Sequence, residues 1–444
     1  MWLYRAMPII GELATRSYYR VTVSGARVPS TGPVLLVANH NNSLVDPALV
    51  AGMADRQVRF LAKAPLFEHP LIGWLVKGVG SVPVYRTQDD PTKVSQNVDS
   101  FRDVHRVLAA GDVVGIFPEG ISHSAASLAP LKTGAARIAI GASKQIGTDF
   151  PIIAMGLVFR DRDRFRSEAH VIIGEAFRWD DLVGDIQDRA AVRELTSRIE
   201  RAMRAVSVNL QEWEDEPLVR TAEAVWRAEF MQDALDERDD PAAMIRRLQA
   251  TTQALKALRH GDAAESSWRE TAVELRAHGR ILSKLGLTAE SLVTDVGLGE
   301  AVRWFVVRLP FVVVLPISLL VAILFWLPKQ ATVRVAAWVA AKEGDDALVT
   351  HRVLAGALIF PLWFVAVAAA VGARWGWPAA VLALLMQPPW TFAALTIGER
   401  RARAWLTMRR YFLRRLERPR LEQLRLRQRE LAVRLRTLLT SLED

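Results

Sequence analysis

The segment Val37-Ala-Asn-His-Asn-Asn-Ser-Leu-Val-Asp-Pro47 decides how this chain is read. A β-branched run stops at Asn39-His40, and an Asp-Pro pair follows, with Asp46 six residues after His40. Two readings are open. In the structural one, Asp46 caps a helix whose first residue is Pro47, because Asp is a favoured N-cap and Pro suits the first helical position; "DPALVAGM" would be that helix. In the chemical one, His40 is a general base with the Asp46 carboxylate behind it. A continuous helix turns about 100° per residue, so residues six apart do not meet on it. The chemical reading therefore needs residues 41–45 to form a turn.

Outward from this segment, short apolar runs alternate with helical stretches between Val21 and about Gly174. "VTVSG", "GPVLLVANH", "VRFLAKA", "GSVPVYR", "DVVGIFPEG", "PIIAMGLVF" and "AHVIIGEAF" read as strands, β-branched and bounded by Gly, Pro or charge. Helical periodicity lies at 47–54, 94–110 and 131–144. The alternation predicts an α/β fold, a layered mixed sheet with flanking helices. In such folds the loops leaving strand C-terminal ends carry the site, and both "NH" and "FPEG" end strands.

Around this α/β domain, expected over 21–177, the material changes. Residues 1–20 mix aromatics with Arg5, Arg16 and Arg20, and read equally as an interfacial helix or as an amphipathic helix packed on its neighbour. This stretch is too interrupted by charge for a signal peptide. Residues 178–300 are Glu/Arg-rich and read as a helical extension without chemistry. The region 301–399 holds three uncharged stretches, Leu309–Leu327, Leu354–Ala373 and Trp377–Ile397, predicting two or three C-terminal transmembrane helices with tryptophan at their rims. Residues 400–444 are expected to be a basic helical tail. Between Arg400 and Arg436 there are 14 Arg against Glu417, Glu422 and Glu430, whereas the rest of the chain is close to neutral. A basic run abutting apolar spans points to anionic lipid rather than nucleic acid. Leu424, Leu431 and Leu438 recur every seven residues and read as an amphipathic surface helix or a short coiled-coil seam. With no cysteine, a disulfide framework, a thiolate metal site and a cysteine nucleophile are excluded.

Two further segments bear on His40 and Asp46. "GIFPEGISHS" (115–124) places Glu119 and Gly120 on a turn after a strand, followed by Ser122, His123 and Ser124, and "LKTG" sets Lys132 beside a helix start. Such a lysine near backbone N–H groups suits phosphate. "GSVPVYR" ends in Arg86, and "VRFLAKA" carries Lys63, two more cations for an anionic acceptor.

In this order, "NHNNSLVDP", "GSVPVYR", "FPEGISHS…LKTG" and "PIIAMGLVF" resemble the four motif blocks of the glycerolipid acyltransferase family, over roughly residues 20–175. The resemblance implies that His40 is the base and Asp46 its partner. It implies that Arg86, Glu119 and Gly120 help hold a phosphorylated acceptor, with Pro151 in the acyl-side block. Ser122, Lys132 and Lys63 are expected beside them. The family's usual first motif has four residues between His and Asp, and this chain has five. Its third motif usually continues Thr-Arg-Ser after Glu-Gly, where Ile121-Ser122-His123-Ser124 stands here. Both departures resemble the branch of the fungal glycerol-3-phosphate and dihydroxyacetone-phosphate acyltransferases.

The implied function is a membrane-bound acyltransferase of phospholipid synthesis. It would move a fatty acyl chain from acyl-CoA or an acyl-carrier protein to a hydroxyl of glycerol 3-phosphate, dihydroxyacetone phosphate or lysophosphatidate. The acceptor hydroxyl replaces an enzyme nucleophile, so direct transfer without an acyl-enzyme is expected, with the thioester as co-substrate and no metal or other cofactor. Imidazole titrates in general near 6.5, which suits a base at neutral pH. Backbone N–H groups near Gly120 are candidates for stabilising the oxyanion. The expected location is the cytoplasmic face of a bacterial inner membrane. Two rival readings are a membrane-bound lipid-binding scaffold with a degenerate domain, and a nucleic-acid module in the arginine tail.

Overall fold

The computed structural model describes residues 2–68, 73–85, 92, 97–125, 127–208, 210, 215–230, 247–253, 265–293, 323–341 and 344–440. These divide into two compact units. The first comprises Met1–Trp213, Asp240–Gln249 and Ala340–Thr350, and the second the remaining segments.

The first unit is built on a seven-stranded sheet: β1 (Arg20–Gly25), β2 (Val34–Ala38), β3 (Val58–Lys63), β4 (Val82–Val84), β5 (Val113–Ile116), β6 (Ile152–Phe159) and β7 (Glu168–Ile173). All seven expected strands form. Their order is β1-β7-β6-β2-β5-β3-β4. From β6 to β4 neighbours run parallel, while β7 turns back antiparallel on β6 and β1 pairs parallel to β7. The C-terminal ends of β2, β3, β4 and β5 therefore share one sheet edge. The central strand β2, Val-Leu-Leu-Val-Ala, is buried at every residue, as a strand covered on both faces must be.

Helices cover the sheet: α1 (Trp2–Tyr18), α2 (Val45–Met53), the short α3 (Pro65–Glu68) and α4 (Gly73–Gly78), α5 (Asn97–Ala109), α6 (Gly134–Ile146) and α7 (Arg189–Val206). α1 packs along α2, leaving Ile9 and Leu13 exposed. α7 packs on β6 and α6, burying Val192, Leu195, Ile199, Met203 and Val206. Those five apolar residues lie at helical spacing, so a 3.6-residue period brings them to one face. The boundary expected at 177 thus falls inside this unit.

The second unit is helical, with α8 (Glu216–Phe230), α9 (Glu265–Leu285), α10 (Ala289–Val293), α11 (Trp326–Ala340), most of α12 (Leu348–Trp375), α13 (Trp377–Leu416) and α14 (Arg418–Thr440). α12 and residues Trp377–Ile397 of α13 are long and apolar enough to cross a membrane. Large apolar side chains on both, Leu358, Leu362, Leu382 and Leu385 among them, face outward. The expected span Leu309–Leu327 falls almost wholly outside the described residues. The arginine-rich segment is not a separate tail. α13 runs straight from the apolar stretch into it, and α14 packs on α8, α9 and α10. Leu421, Leu424, Leu431, Leu435 and Leu438 are buried there, while Arg418, Arg420, Arg425, Arg429, Arg434 and Arg436 stay exposed.

Candidate active site

The loop after β2 and the loop after β5 meet at the shared sheet edge. Asn39, one residue beyond β2, extends the ladder to β6 with its side chain: its amide donates to Leu157 O (2.9 Å), and Leu157 N–H donates to its Oδ1 (2.7 Å). The chain then turns through 40–44 and enters α2 at Val45. Asp46 is therefore in the first turn of the helix and is not its N-cap. That position belongs to Leu44, which makes no side-chain cap. The structural reading of Asp-Pro is corrected by two residues. Pro47 still fits, because a first-turn N–H has no intrahelical acceptor to lose.

The carboxylate of Asp46 points back into the turn. Its Oδ2 accepts hydrogen bonds from His40 Nδ1 (2.9 Å), Asn41 N–H (2.8 Å) and Asn42 N–H (2.7 Å). Asp46 is 0 % exposed, a place where an ionised carboxylate persists only with such partners. Because an acceptor occupies the Nδ1 side, the imidazole carries its proton there and presents Nε2 as the basic nitrogen. The His40 side chain is 20 % exposed. Its ring stacks on Phe117 with centroids 4.2 Å apart, and Phe117 stacks in turn on Phe60 of β3. The aromatic pile needs Gly115: a Cβ there would lie 2.5 Å from the Phe60 ring.

Glu119 holds the two loops together. It is 2 % exposed. Oε1 accepts His40 N–H (2.8 Å), and Oε2 accepts Ala129 N–H (2.8 Å) and the Nε2–H of His123. The His123 Nδ1 accepts Ala125 N–H, which fixes that tautomer. His123 N–H donates to His40 O (3.1 Å), and Ser43 N–H donates to Ser122 Oγ (3.1 Å). Both Glu119 oxygens are engaged by the protein, so in this arrangement Glu119 braces the loops rather than facing an open site.

Gly120 takes a left-handed turn, φ +72°, and a Cβ there would meet the Lys132 side chain at 2.8 Å. Exposed Lys132 thus lies over the Phe-Pro-Glu-Gly turn, just before α6. The Gly120 N–H donates to Phe117 O, so it is not free to stabilise an oxyanion, and the His123 N–H is likewise engaged. Lys63 ends β3, exposed, on the same sheet edge. Pro151 precedes β6, its carbonyl accepting Leu35 N–H. Arg86 lies outside the described residues. Among the described residues no group of three His, Cys, Asp or Glu could hold a metal ion.

Two residues that the sequence reading did not single out join the site. Arg162, from the β6–β7 connection, donates from Nη1 to Asn41 O (3.1 Å) and Ser124 Oγ (2.6 Å), tying the two loops. Tyr19, at the end of α1, accepts from the Asn42 side-chain amide (2.9 Å) and donates to the Arg162 carbonyl. Burial, with neighbouring Tyr18, Asp46 and Asp163, raises the Tyr19 phenol well above its ordinary range despite its bond with Asn42. It stays a donor at any working pH. Neither residue had a local motif that could have revealed it.

Residues 20–158 match the model of the family described as Acyltransferase. Over 294 residues the chain is 26 % identical to glycerol-3-phosphate O-acyltransferase 1 of Saccharomyces cerevisiae, covering 46 % of this chain and 39 % of the yeast protein. It is 29 % identical over 141 residues to the chloroplastic 1-acyl-sn-glycerol-3-phosphate acyltransferase LPAT1 of Arabidopsis thaliana, covering 31 % of this chain and 37 % of that one. The crystal structure of the LPA acyltransferase PlsC of Thermotoga maritima aligns over 46 % of this chain and 78 % of that one at 19 % identity and a TM-score of 0.34, too small a likeness to argue from. Each of these two curated relatives is matched over less than half its length. Over residues 20–158 the α/β domain belongs to the glycerolipid acyltransferase family.

Proposed function

We propose that this chain is a membrane-bound O-acyltransferase that moves a fatty acyl group from an acyl thioester to a hydroxyl of a glycerol-phosphate-type acceptor. The observation that carries this reading is the His40–Asp46 pair, a partly exposed imidazole backed by a fully buried carboxylate. His40 Nε2 takes the proton of the acceptor hydroxyl as its oxygen attacks the thioester carbonyl carbon. The C–S bond of the resulting tetrahedral species breaks, and the departing thiolate takes the proton from Nε2. Ester and free thiol leave. Asp46 stabilises the transient imidazolium and keeps Nδ1 protonated, as in serine hydrolases. The acceptor oxygen acts as the nucleophile, so no acyl-enzyme is formed.

Lys132, Lys63 and Arg86 are the cations proposed for the acceptor phosphate, with Ser122 lining the same edge, whereas Glu119 and Gly120 shape the turn over which Lys132 lies. The relatives of known activity act on glycerol 3-phosphate or its 1-acyl derivative, which makes these the first acceptors to offer. The two outward-apolar helices support a bilayer setting. The two helices are joined at Gly376, and the exposed arginines of α14 suit anionic lipid. Exposed Ile9 and Leu13 of α1 suit contact with a lipid surface.

The test is acyl transfer by the purified full-length protein from long-chain acyl-CoA, with glycerol 3-phosphate, dihydroxyacetone phosphate and lysophosphatidate offered separately beside His40→Ala. Turnover abolished in the variant supports the reading. Activity that survives His40→Ala removes His40 as the base. A scaffold instead predicts no transfer from any thioester and unaltered lipid binding in the variant.

A further inference from the structure

A strained residue sits in the middle of the turn between His40 and Asp46. Ser43 has φ +44°, a conformation that a side-chain-bearing L residue keeps only when its surroundings over-determine it. Two hydrogen bonds flank it. One is from its own N–H to Ser122 Oγ. The other is from the next N–H, Leu44, to Thr350 Oγ1 at 3.1 Å, a partner 306 residues further along the chain. With it, every backbone N–H from His40 to Leu44 is engaged, by Glu119, Asp46, Asp46, Ser122 and Thr350 in turn. Leu44 is the N-cap of α2 and offers no side-chain acceptor. Thr350 is 4 % exposed, next to fully buried Val349, and its segment Ala340–Thr350 belongs to the same compact unit as the turn. It also stands in the first turn of α12, far outside the family match.

We propose that Thr350 is a positioning residue for acyl transfer: its hydroxyl pins Leu44, holds Ser43 in its left-handed conformation, and so keeps Asp46 in register with His40. The inference rests on the acyltransferase reading of this site. It makes Thr350, in the first turn of a long apolar helix, part of the catalytic scaffold. A valine at 350 keeps the shape and β-branching of threonine and takes the acceptor from the part-buried Leu44 N–H. A serine keeps the hydroxyl.

The experiment compares wild type, Thr350→Val and Thr350→Ser as full-length protein, by steady-state transfer kinetics, thermal unfolding and amide hydrogen exchange of the peptide over residues 41–46. Thr350→Val should lower kcat roughly tenfold, the rate equivalent of one hydrogen bond. Both KM values should stay within about twofold, since no substrate contact is lost. Exchange at Leu44 should quicken by about tenfold or more. Thr350→Ser should restore rate and protection. Wild-type kcat and exchange in Thr350→Val, or a loss that serine does not rescue, would overturn the proposal. If Thr350→Val does not fold, Thr350→Ala against Thr350→Ser makes the same comparison. If wild type transfers no acyl group, the functional reading fails, and exchange at Leu44 still decides whether the latch exists.

Discussion

Replacing Asp46 by Asn isolates what the carboxylate charge does, because this turn holds the oxygen where it is. In the protein three donors converge on Oδ2: His40 Nδ1–H, Asn41 N–H and Asn42 N–H. An asparagine must put its carbonyl oxygen there, since the flipped amide would aim an NH2 at two backbone N–H groups. The imidazole then keeps its proton on Nδ1, and the base nitrogen stays bare. What is lost is attraction between the carboxylate and the imidazolium that forms during transfer. At about 4 Å and an effective dielectric of about 20 that attraction is ~4 kcal/mol, or about three powers of ten in kcat. In serine proteases the same change costs about 10⁴ because the wrong tautomer forms; here the two backbone N–H groups should spare that part. Oδ1 is buried with no hydrogen-bond partner among the described residues, so the new NH2 costs a further ~1–3 kcal/mol of stability. The assay is thiol release from the acyl thioester at saturating acceptor, for wild type, Asp46→Asn and His40→Ala. A variant as dead as His40→Ala would show that the tautomer is not held. One within tenfold of wild type would show that the charge is not used.

Glu119→Gln should separate bracing from substrate contact. Whichever way the amide lies, its NH2 meets an N–H donor now served by Oε1 or Oε2, so stability should fall by about 2–3 kcal/mol, read as a lower urea midpoint. kcat should fall while the acceptor KM holds; a raised KM at unchanged stability would put Glu119 in contact with the acceptor instead. Burial lowers the imidazole pKa of His105, and also of His278, where a bond with Gln428 raises it and nearby Arg427 lowers it further. The unfolded chain therefore binds more protons just below the ordinary histidine value. The stability present above about pH 6.5 should be lost as pH falls through the lowered folded values. Melting temperatures from pH 8 to 5.5 should decline less steeply in His105→Leu/His278→Asn than in wild type, and equal slopes would refute the assignment.

The sheet was legible because its strands announce themselves: "VLLVA" and "IIAMGLVF" are apolar, β-branched runs cut off by polar or Gly/Pro residues. His40 and Glu119 were legible as residue types just after strands, and the dyad with Asp46 came from the family resemblance rather than from the spacing. Their geometry was not. Periodicity could not tell whether α2 begins at Val45 or Pro47, and that choice decides whether the Asp46 carboxylate caps a helix or faces a histidine. Arg162, Tyr19 and Thr350 were illegible for another reason. They reach the turn because β7 folds back on β6, α1 ends beside β1, and residues 340–350 return to the first unit. No local pattern encodes such meetings. The arginine segment misled in a similar way: fourteen arginines advertise a solvated tail, and the leucines at 3–4 spacing that bury α14 were visible only as a faint seven-residue repeat.

The five residues between His40 and Asp46 make physical sense together. A turn of this length would let the histidine and the carboxylate drift apart unless its backbone were fixed. The chain meets that requirement by engaging each successive N–H from His40 to Leu44, and by reversing direction at Ser43 in the left-handed region. Two of these N–H groups share the Asp46 carboxylate itself, so Asp46 orders the turn that orders Asp46. The other three anchors, Glu119, Ser122 and Thr350, come from outside the turn. Mutual dependence of this kind makes the geometry cooperative. Loss of an outer anchor should therefore reach the His40–Asp46 pair through the backbone, even where the residue removed never touches a substrate.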